Sequence, residues 1–182
     1  MSIDADIFGL VFDIKKFAIY DGEGIRTTIF LKGCSLNCVW CQNPEGKKSN
    51  FQLFYDEKKC IQCNRCVSSC PVNKLLPDRQ KRVDREKDCL NNCDSCYSVC
   101  PTEAIYKVGK LYSTAKLLEI ILKDLPFYRV SHGGVTFSGG EPMLQISFLK
   151  KIIGKLNKKG ITVYIETCGD RKSTRLNSSH YS

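Results

Sequence analysis

The chain has 182 residues, room for one ordinary domain and a small insert but not for two large cores. Its 42% hydrophobic and 26% charged residues set it apart from disordered chains, and apolar runs such as Leu117 to Leu122 fall well short of the roughly 20 residues of a bilayer span. The formal charge of +9 lies partly in Arg171, Lys172 and Arg175 and otherwise in short pairs such as Lys47-Lys48 and Lys158-Lys159. No aromatic residues interleave with them, so they read as solvated surface and exclude a nucleic-acid face. Asp4 and Asp6 near the start do not suit a secretory signal, and the expected location is cytoplasmic.

In chain order, Gly9–Lys15 and Arg26–Lys32 read as two extended segments joined by the turn Asp21-Gly-Glu-Gly24. Between Cys60 and Pro101, Cys, Asn, Asp and Lys dominate and apolar periodicity fades, so this stretch is expected to have no core of its own and to be folded by metal. Ser113 or Thr114 is the expected N-cap of a helix with its apolar face at Leu117, Leu118, Ile121, Leu122 and Leu125, ended by Pro126. A strand at 134–138 follows, then Gly139-Gly140, a helix from about Pro142 to Lys159 with Gly160 at C′, and a strand at 161–165. Strand, helix and strand in that order make a βαβ unit and a parallel sheet, so the fold class is α/β.

Twelve cysteines are the outlying feature, and eleven of them fall at 34–41, 60–70 and 89–100. Disulfide scaffolds scatter their cysteines among the elements they join, so this clustering points to metal. The first group, Cys34-x3-Cys38-x2-Cys41, follows a strand; three thiolates on one loop can hold three irons of a four-iron cluster and leave the fourth open. The others are Cys60-x2-Cys63-x2-Cys66-x3-Cys70-Pro71 and Cys89-x3-Cys93-x2-Cys96-x3-Cys100-Pro101. Each looks like the bacterial ferredoxin run, in which the cysteine before proline serves the other cluster. That pattern groups Cys60, Cys63, Cys66 and Cys100 around one cluster and Cys89, Cys93, Cys96 and Cys70 around another. Tetrahedral zinc is the competing reading, although two runs that each pack four cysteines ahead of a proline exceed what one zinc site uses. The twelfth, Cys168, is expected to be a buried structural thiol.

The stretch from Asp21-Gly-Glu-Gly-Ile-Arg26 through Cys34 to Cys41-Gln-Asn-Pro-Glu45, with Gly133-Gly-Val-Thr-Phe-Ser-Gly-Gly-Glu-Pro142, closely resembles the radical S-adenosylmethionine (SAM) activating enzymes of glycyl-radical enzymes. The resemblance implies a partial (β/α)6 barrel, cut to about three barrel strands at 27–32, 134–138 and 161–165, with an inserted ferredoxin-like dicluster domain. The implied division is 1–55 and 107–170 for the barrel and 56–106 for the insert. Residues 171–182 resemble translated adapter read-through and are expected to be a non-native tail, leaving a fragment inactive on its own.

Three [4Fe-4S] clusters and SAM are the implied cofactors, with SAM chelated to the open iron of the Cys34, Cys38 and Cys41 cluster. Trp40, Gln42, Gly139, Gly140, Glu141, Glu166 and Thr167 are the implied SAM-site residues, and no side chain acts as an acid or base. Trp40 would lie against the adenine, where its ordinary reading is a core aromatic. The implied reaction is reductive cleavage of SAM to a 5′-deoxyadenosyl radical, which takes hydrogen from a glycine of a partner enzyme. A low-potential donor such as flavodoxin or ferredoxin supplies the electron. Glu23 and Gln42 depart from the usual Pro and His of the family without removing a ligand. Competing readings are a radical SAM enzyme acting on a small molecule or peptide, a ferredoxin-like electron carrier that would leave Cys34, Cys38 and Cys41 idle, and a zinc module.

Overall fold

The computed structural model describes residues 6–84, 87, 89 and 93–169; the expected tail at 171–182 lies outside them. In chain order the elements are β1 (Phe8–Ala18), β2 (Arg26–Leu31), β3 (Gln52–Tyr55), α1 (Arg65–Ser68), α2 (Ser95–Ser98), β4 (Ile105–Val108) and β5 (Lys110–Ser113). Then come α3 (Thr114–Leu122), α4 (Leu125–Ser131), β6 (Gly134–Gly139), α5 (Ile146–Asn157) and β7 (Thr162–Ile165). They form two compact units, Phe51–Val108 and the remainder on either side of it.

The larger unit is an α/β layer built on a five-stranded sheet of order β5-β1-β2-β6-β7. β2, β6 and β7 run parallel, in register from Arg26 opposite Gly134 and from Gly134 opposite Thr162, whereas β1 is antiparallel to both of its neighbours. Val11, Ile29, Leu31, Val135 and Phe137 from the sheet pack with Leu117 and Ile121 of α3 and Phe148, Leu149, Ile152 and Leu156 of α5. Those helix positions recur at three and four residues, so each helix turns one apolar stripe to the sheet. Ser113 caps α3, its hydroxyl accepting from Lys116 N at 3.1 Å.

Two helix boundaries differ from expectation. α3 stops at Leu122, and Pro126 sits in the first turn of α4 instead of ending α3, because its missing N–H costs nothing there. The segment after Glu141 begins as a 3-10 turn, Pro142–Gln145, and becomes α5 only at Ile146. His132 is the exposed left-handed cap of α4, with φ 57°.

The Asp21–Arg26 motif is structural. Arg26 is 0% exposed, and its guanidinium donates to Thr136 Oγ1 (2.7 Å), Val135 O (2.8 Å), Glu23 O (3.1 Å) and Thr162 O (3.2 Å) while lying 3.9 Å from the Tyr164 ring centre. It therefore ties the N-terminal ends of β2, β6 and β7 together. Beside it Thr28 donates to Asp21 Oδ2 at 2.5 Å, and Thr27 donates to Asp124 Oδ2 at 2.9 Å. Burial pushes Tyr128 up to about 12, so its hydroxyl keeps the proton it donates to Thr27 Oγ1. Removing the guanidinium strands four acceptors at once. Arg26→Ala is expected to lower stability by about 3 kcal/mol or more, and Arg26→Lys to restore only part of it, because an ammonium lacks the planar fork. The urea midpoint followed by circular dichroism measures this, and an unchanged midpoint would contradict it.

The smaller unit holds the antiparallel pair β3-β4, which carries it from Phe51 to Val108, beyond the limits 56–106 read from the sequence. Contrary to the expectation of no core, Cys66, Cys70, Leu75, Cys96 and Ile105 are buried together against Leu53, Tyr55, Val67 and Tyr97. Three of the five are cysteines, so the core of this unit is made largely of its own candidate ligands.

Candidate metal centres

The two halves of the smaller unit repeat one backbone design. In each, a four-residue helix carries the third cysteine of the run, Cys66 in α1 and Cys96 in α2. Each run ends in Cys-Pro followed, three residues after the cysteine, by a left-handed non-glycine residue: Asn73 at φ 49° and Glu103 at φ 51°. That twist turns the next amide back onto sulfur. Lys74 N donates to Cys70 Sγ and Ala104 N donates to Cys100 Sγ, both at 3.2 Å. A third amide, Gln62 N, donates to Cys60 Sγ at 3.4 Å.

Cys60, Cys63, Cys66 and Cys100 line one pocket with Tyr55, Arg82 and Ile105. This is the grouping expected from the ferredoxin spacing, three cysteines of one run and the last of the other. Burial pushes Cys96 up to about 11, and the charges of Cys70, Cys89 and Cys93, the other members of the second expected set, raise it further. Burial likewise raises Cys66 and Cys89. At Cys60, burial alone would raise the thiol, but the Tyr55 hydroxyl, Gln62 N and the Arg82 guanidinium more than reverse it.

The pocket suits a multi-iron group by the chemistry of its lining. It offers four sulfur donors, and the two buried side-chain polar atoms without a partner among the described residues, Tyr55 Oη and Arg82 Nε, belong to residues that line it. All twelve cysteines are free thiols, and among the described residues no three Cys, His, Asp or Glu side chains converge closely enough for a single metal ion.

Cys34, Cys38 and Cys41 lie in the larger unit, on the loop leaving the C-terminal end of β2, and all three are half-buried. Lys47 holds this loop, its ammonium donating to Cys38 O (2.9 Å) and Asn37 Oδ1 (3.0 Å), while Cys34 N donates to Lys47 O at 3.0 Å. Lys32, 1% exposed, donates to Glu45 O, and burial lowers its pKa to about 8. The Gly139-Gly140-Glu141 turn leaves the end of the adjacent β6 and is joined to the loop through backbone: Gly140 N donates to Leu31 O (2.8 Å), Glu141 N to Gly33 O (2.6 Å) and Gly33 N to Gly46 O (2.7 Å). Here glycine is needed for backbone against backbone. A Cβ on Gly140 would stand 2.2 Å from Gly33 O and 2.6 Å from Gly46 O.

Glu141 is 0% exposed, and its carboxylate accepts from Met143 N (2.9 Å), Thr167 Oγ1 (2.8 Å), Cys168 N (2.9 Å) and the Cys168 thiol (2.8 Å). Burial opposes its charge, but the Cys168 thiol and the other donors outweigh burial and hold it below its ordinary value of 4.5. Its side chain thus anchors the segment after β7. Cys168, expected to be buried, is exposed, because residues 165–169 lie on the surface, although its N–H and thiol both reach the Glu141 carboxylate.

Glu166, Thr167 and Gln42 are exposed, and Trp40 is 83% exposed on the cysteine loop, not a core aromatic. Two positioning residues escaped the sequence reading. Gln145 bridges the ends of β1 and β2, accepting from Leu10 N (2.8 Å) and donating to Leu10 O and Lys32 O (both 2.9 Å); Arg82 is the other. Neither carries a local pattern that separates it from ordinary surface polarity.

Clustered cysteine runs in an α/β protein suit an iron–sulfur protein. Residues 20–73 and 83–177 match the family described as "4Fe-4S single cluster domain", and the chain belongs to that family. Residues 52–101 also match a family described as "4Fe-4S dicluster domain". Among curated proteins the chain is similar to the isethionate sulfite-lyase activating enzyme of Desulfovibrio desulfuricans, 39% identical over 93% of this chain and 55% of that protein. It is also similar to the indoleacetate decarboxylase activating enzyme of Tractidigestivibacter scatoligenes (38%, over 90% of this chain and 55% of that one). The trans-4-hydroxy-L-proline dehydratase activating enzyme of Clostridioides difficile is 42% identical over 90% of this chain and 54% of its own. The chain thus spans about half the length of the curated relatives it matches. Among the described residues, no helix is long and apolar enough to cross a membrane.

Proposed function

We propose that the chain carries cluster- and SAM-binding parts of a radical SAM enzyme that activates a glycyl-radical partner. The observation that carries this reading is the joint between the Gly139-Gly140-Glu141 turn and the three-cysteine loop, made by Glu141 N on Gly33 O and Gly140 N on Leu31 O. It lies at the C-terminal ends of two adjacent parallel strands, where open α/β sheets bind their ligands. The names of the three relatives, activating enzymes for a lyase, a decarboxylase and a dehydratase, support the same activity.

On this reading residues 1–55 and 107–170 are barrel and 56–106 is the ferredoxin-like insert. Cys34, Cys38 and Cys41 hold the first of three [4Fe-4S] clusters, and the two mixed cysteine sets hold the others. When bound, the first cluster and SAM supply the radical chemistry, reductive cleavage followed by hydrogen abstraction from a glycine of the partner. The chain's own part is positioning. Lys47 fixes the curvature of the cysteine loop. The glycine turn offers backbone carbonyls to an amino group, and exposed Trp40 offers a ring face to an adenine. Glu141 holds Thr167 in place at the end of β7, beside Glu166. The electron comes from a low-potential flavodoxin- or ferredoxin-like donor in the cytoplasm, and no nucleic acid takes part.

Anaerobic reconstitution tests this directly. About twelve irons per chain are expected, and adding SAM to the dithionite-reduced protein is expected to change its electron paramagnetic resonance spectrum. A spectrum indifferent to SAM, or zinc in place of iron, would overturn the proposal.

A further inference from the structure

The Cys60, Cys63, Cys66 and Cys100 pocket contains more than ligands. Arg82 is 1% exposed, and its guanidinium is only partly used: Nη1 donates to Asn64 Oδ1 (2.6 Å) and Leu76 O (2.9 Å), and Nη2 lies 3.9 Å from Cys60 Sγ. Its Nε makes no hydrogen bond, and Tyr55 Oη, on the same pocket beside Cys60 and Arg82, makes none of good geometry either. Among the described residues no carboxylate forms an ion pair with Arg82. A buried cation with an idle donor is costly unless an anion meets it. Around the other cysteine set no such pair occurs among the described residues: Lys74, the buried cation near Cys70 and Cys89, has its ammonium on the carbonyls of Asp84 and Lys87.

We propose that Arg82 and Tyr55 donate to the iron–sulfur group held by Cys60, Cys63, Cys66 and Cys100 and raise its reduction potential. The inference rests on the cluster assignment proposed above. One-electron reduction of such a group, by dithionite for example, adds one negative charge and takes up no proton. A fixed cation and two donors facing the sulfurs stabilise that added charge. Arg82 and Tyr55 are therefore positioning and tuning residues that fold in advance around an anion.

The test uses the whole chain carrying Cys34→Ala, Cys38→Ala and Cys41→Ala, reconstituted anaerobically so that only the two ferredoxin-type groups report. Potentiometric titration followed by paramagnetic resonance then resolves two one-electron steps. Arg82→Gln is expected to make reduction at one step at least tenfold less favourable, about 59 mV for one electron, and to leave the other step in place. Tyr55→Phe is expected to lower the same step by about threefold, the size of one modest hydrogen bond. If Arg82→Gln does not load iron, Tyr55→Phe decides alone, since it removes a single oxygen. Full iron with neither step moved, or with both steps moved together, overturns the inference and leaves the cluster assignment standing. A parent chain that binds no iron overturns both.

Discussion

In a protein of the length of the curated relatives, Cys38→Ala is expected to reduce 5′-deoxyadenosine formation from SAM under dithionite to the protein-free background and to remove about four irons per chain. The reason is the count of donors on the loop. Cys34, Cys38 and Cys41 are the cysteines it offers, and a group already short of one protein ligand does not survive on two. Cys168 is no substitute, because its thiol is engaged with Glu141 Oε2 at 2.8 Å. The loop's shape also depends on the residue replaced only through its backbone, since Lys47 and Cys41 N bond to Cys38 O. The variant therefore keeps its fold, and the loss belongs to the missing sulfur. Iron at the two ferredoxin-type sets is expected to stay at about eight per chain, because those ligands lie in a separate compact unit. Undiminished deoxyadenosine formation would remove the three-cysteine loop from the reaction.

What the sequence made legible follows the strength of its local signals. The strands at 26–32 and 134–138 and the helix stripe from Ile146 to Leu156 were plain, because parallel strands and amphipathic helices write their burial directly into apolar spacing. One grouping of cysteines was legible for another reason: spacing in the ferredoxin run puts Cys100 with Cys60, Cys63 and Cys66, and Cys100 does line their pocket. The strands β3, β4 and β5 were not legible. Each has four residues, too few for alternation to stand out, and β3 and β4 form only through a pairing across some fifty residues of chain. The polar interior was hidden altogether. Arg26, Arg82 and Gln145 look like surface residues in sequence, and only the carbonyls and sulfurs brought round them by distant segments make them interior. Cys168 failed in the opposite direction, as a residue type that is usually buried but lies on the exposed segment that follows β7.

Gly140→Ala is the sharpest test of the joint that carries the functional proposal. Its added methyl would fall 2.2 Å from Gly33 O, 2.6 Å from Gly46 O and 2.8 Å from Gly33 C, and all three are backbone atoms that no rotamer change can move aside. The close approach is reciprocal, since a Cβ on Gly46 would meet Gly140 N at 2.7 Å. Relief requires the turn and the cysteine loop to separate, which breaks Glu141 N on Gly33 O and Gly140 N on Leu31 O. Overpacking of this kind costs about 1–3 kcal/mol. The sheet can absorb that cost, for the core under β2 and β6 is made by Ile29, Val135 and Phe137, away from the joint, and by Leu31, which enters the joint only through its backbone carbonyl. The expected phenotype is therefore selective. The protein folds and loads its ferredoxin-type clusters, yet the change that SAM produces in the resonance spectrum disappears, and in a protein of the length of the curated relatives deoxyadenosine formation falls at least a hundredfold, the scale on which a misplacement of about 1 Å acts. Gly154→Ala provides the control, since nothing lies within 4 Å of a methyl at that glycine in α5, and alanine there suits the helix. Equal loss in both variants would mean that general destabilisation, not the joint between turn and loop, governs the activity.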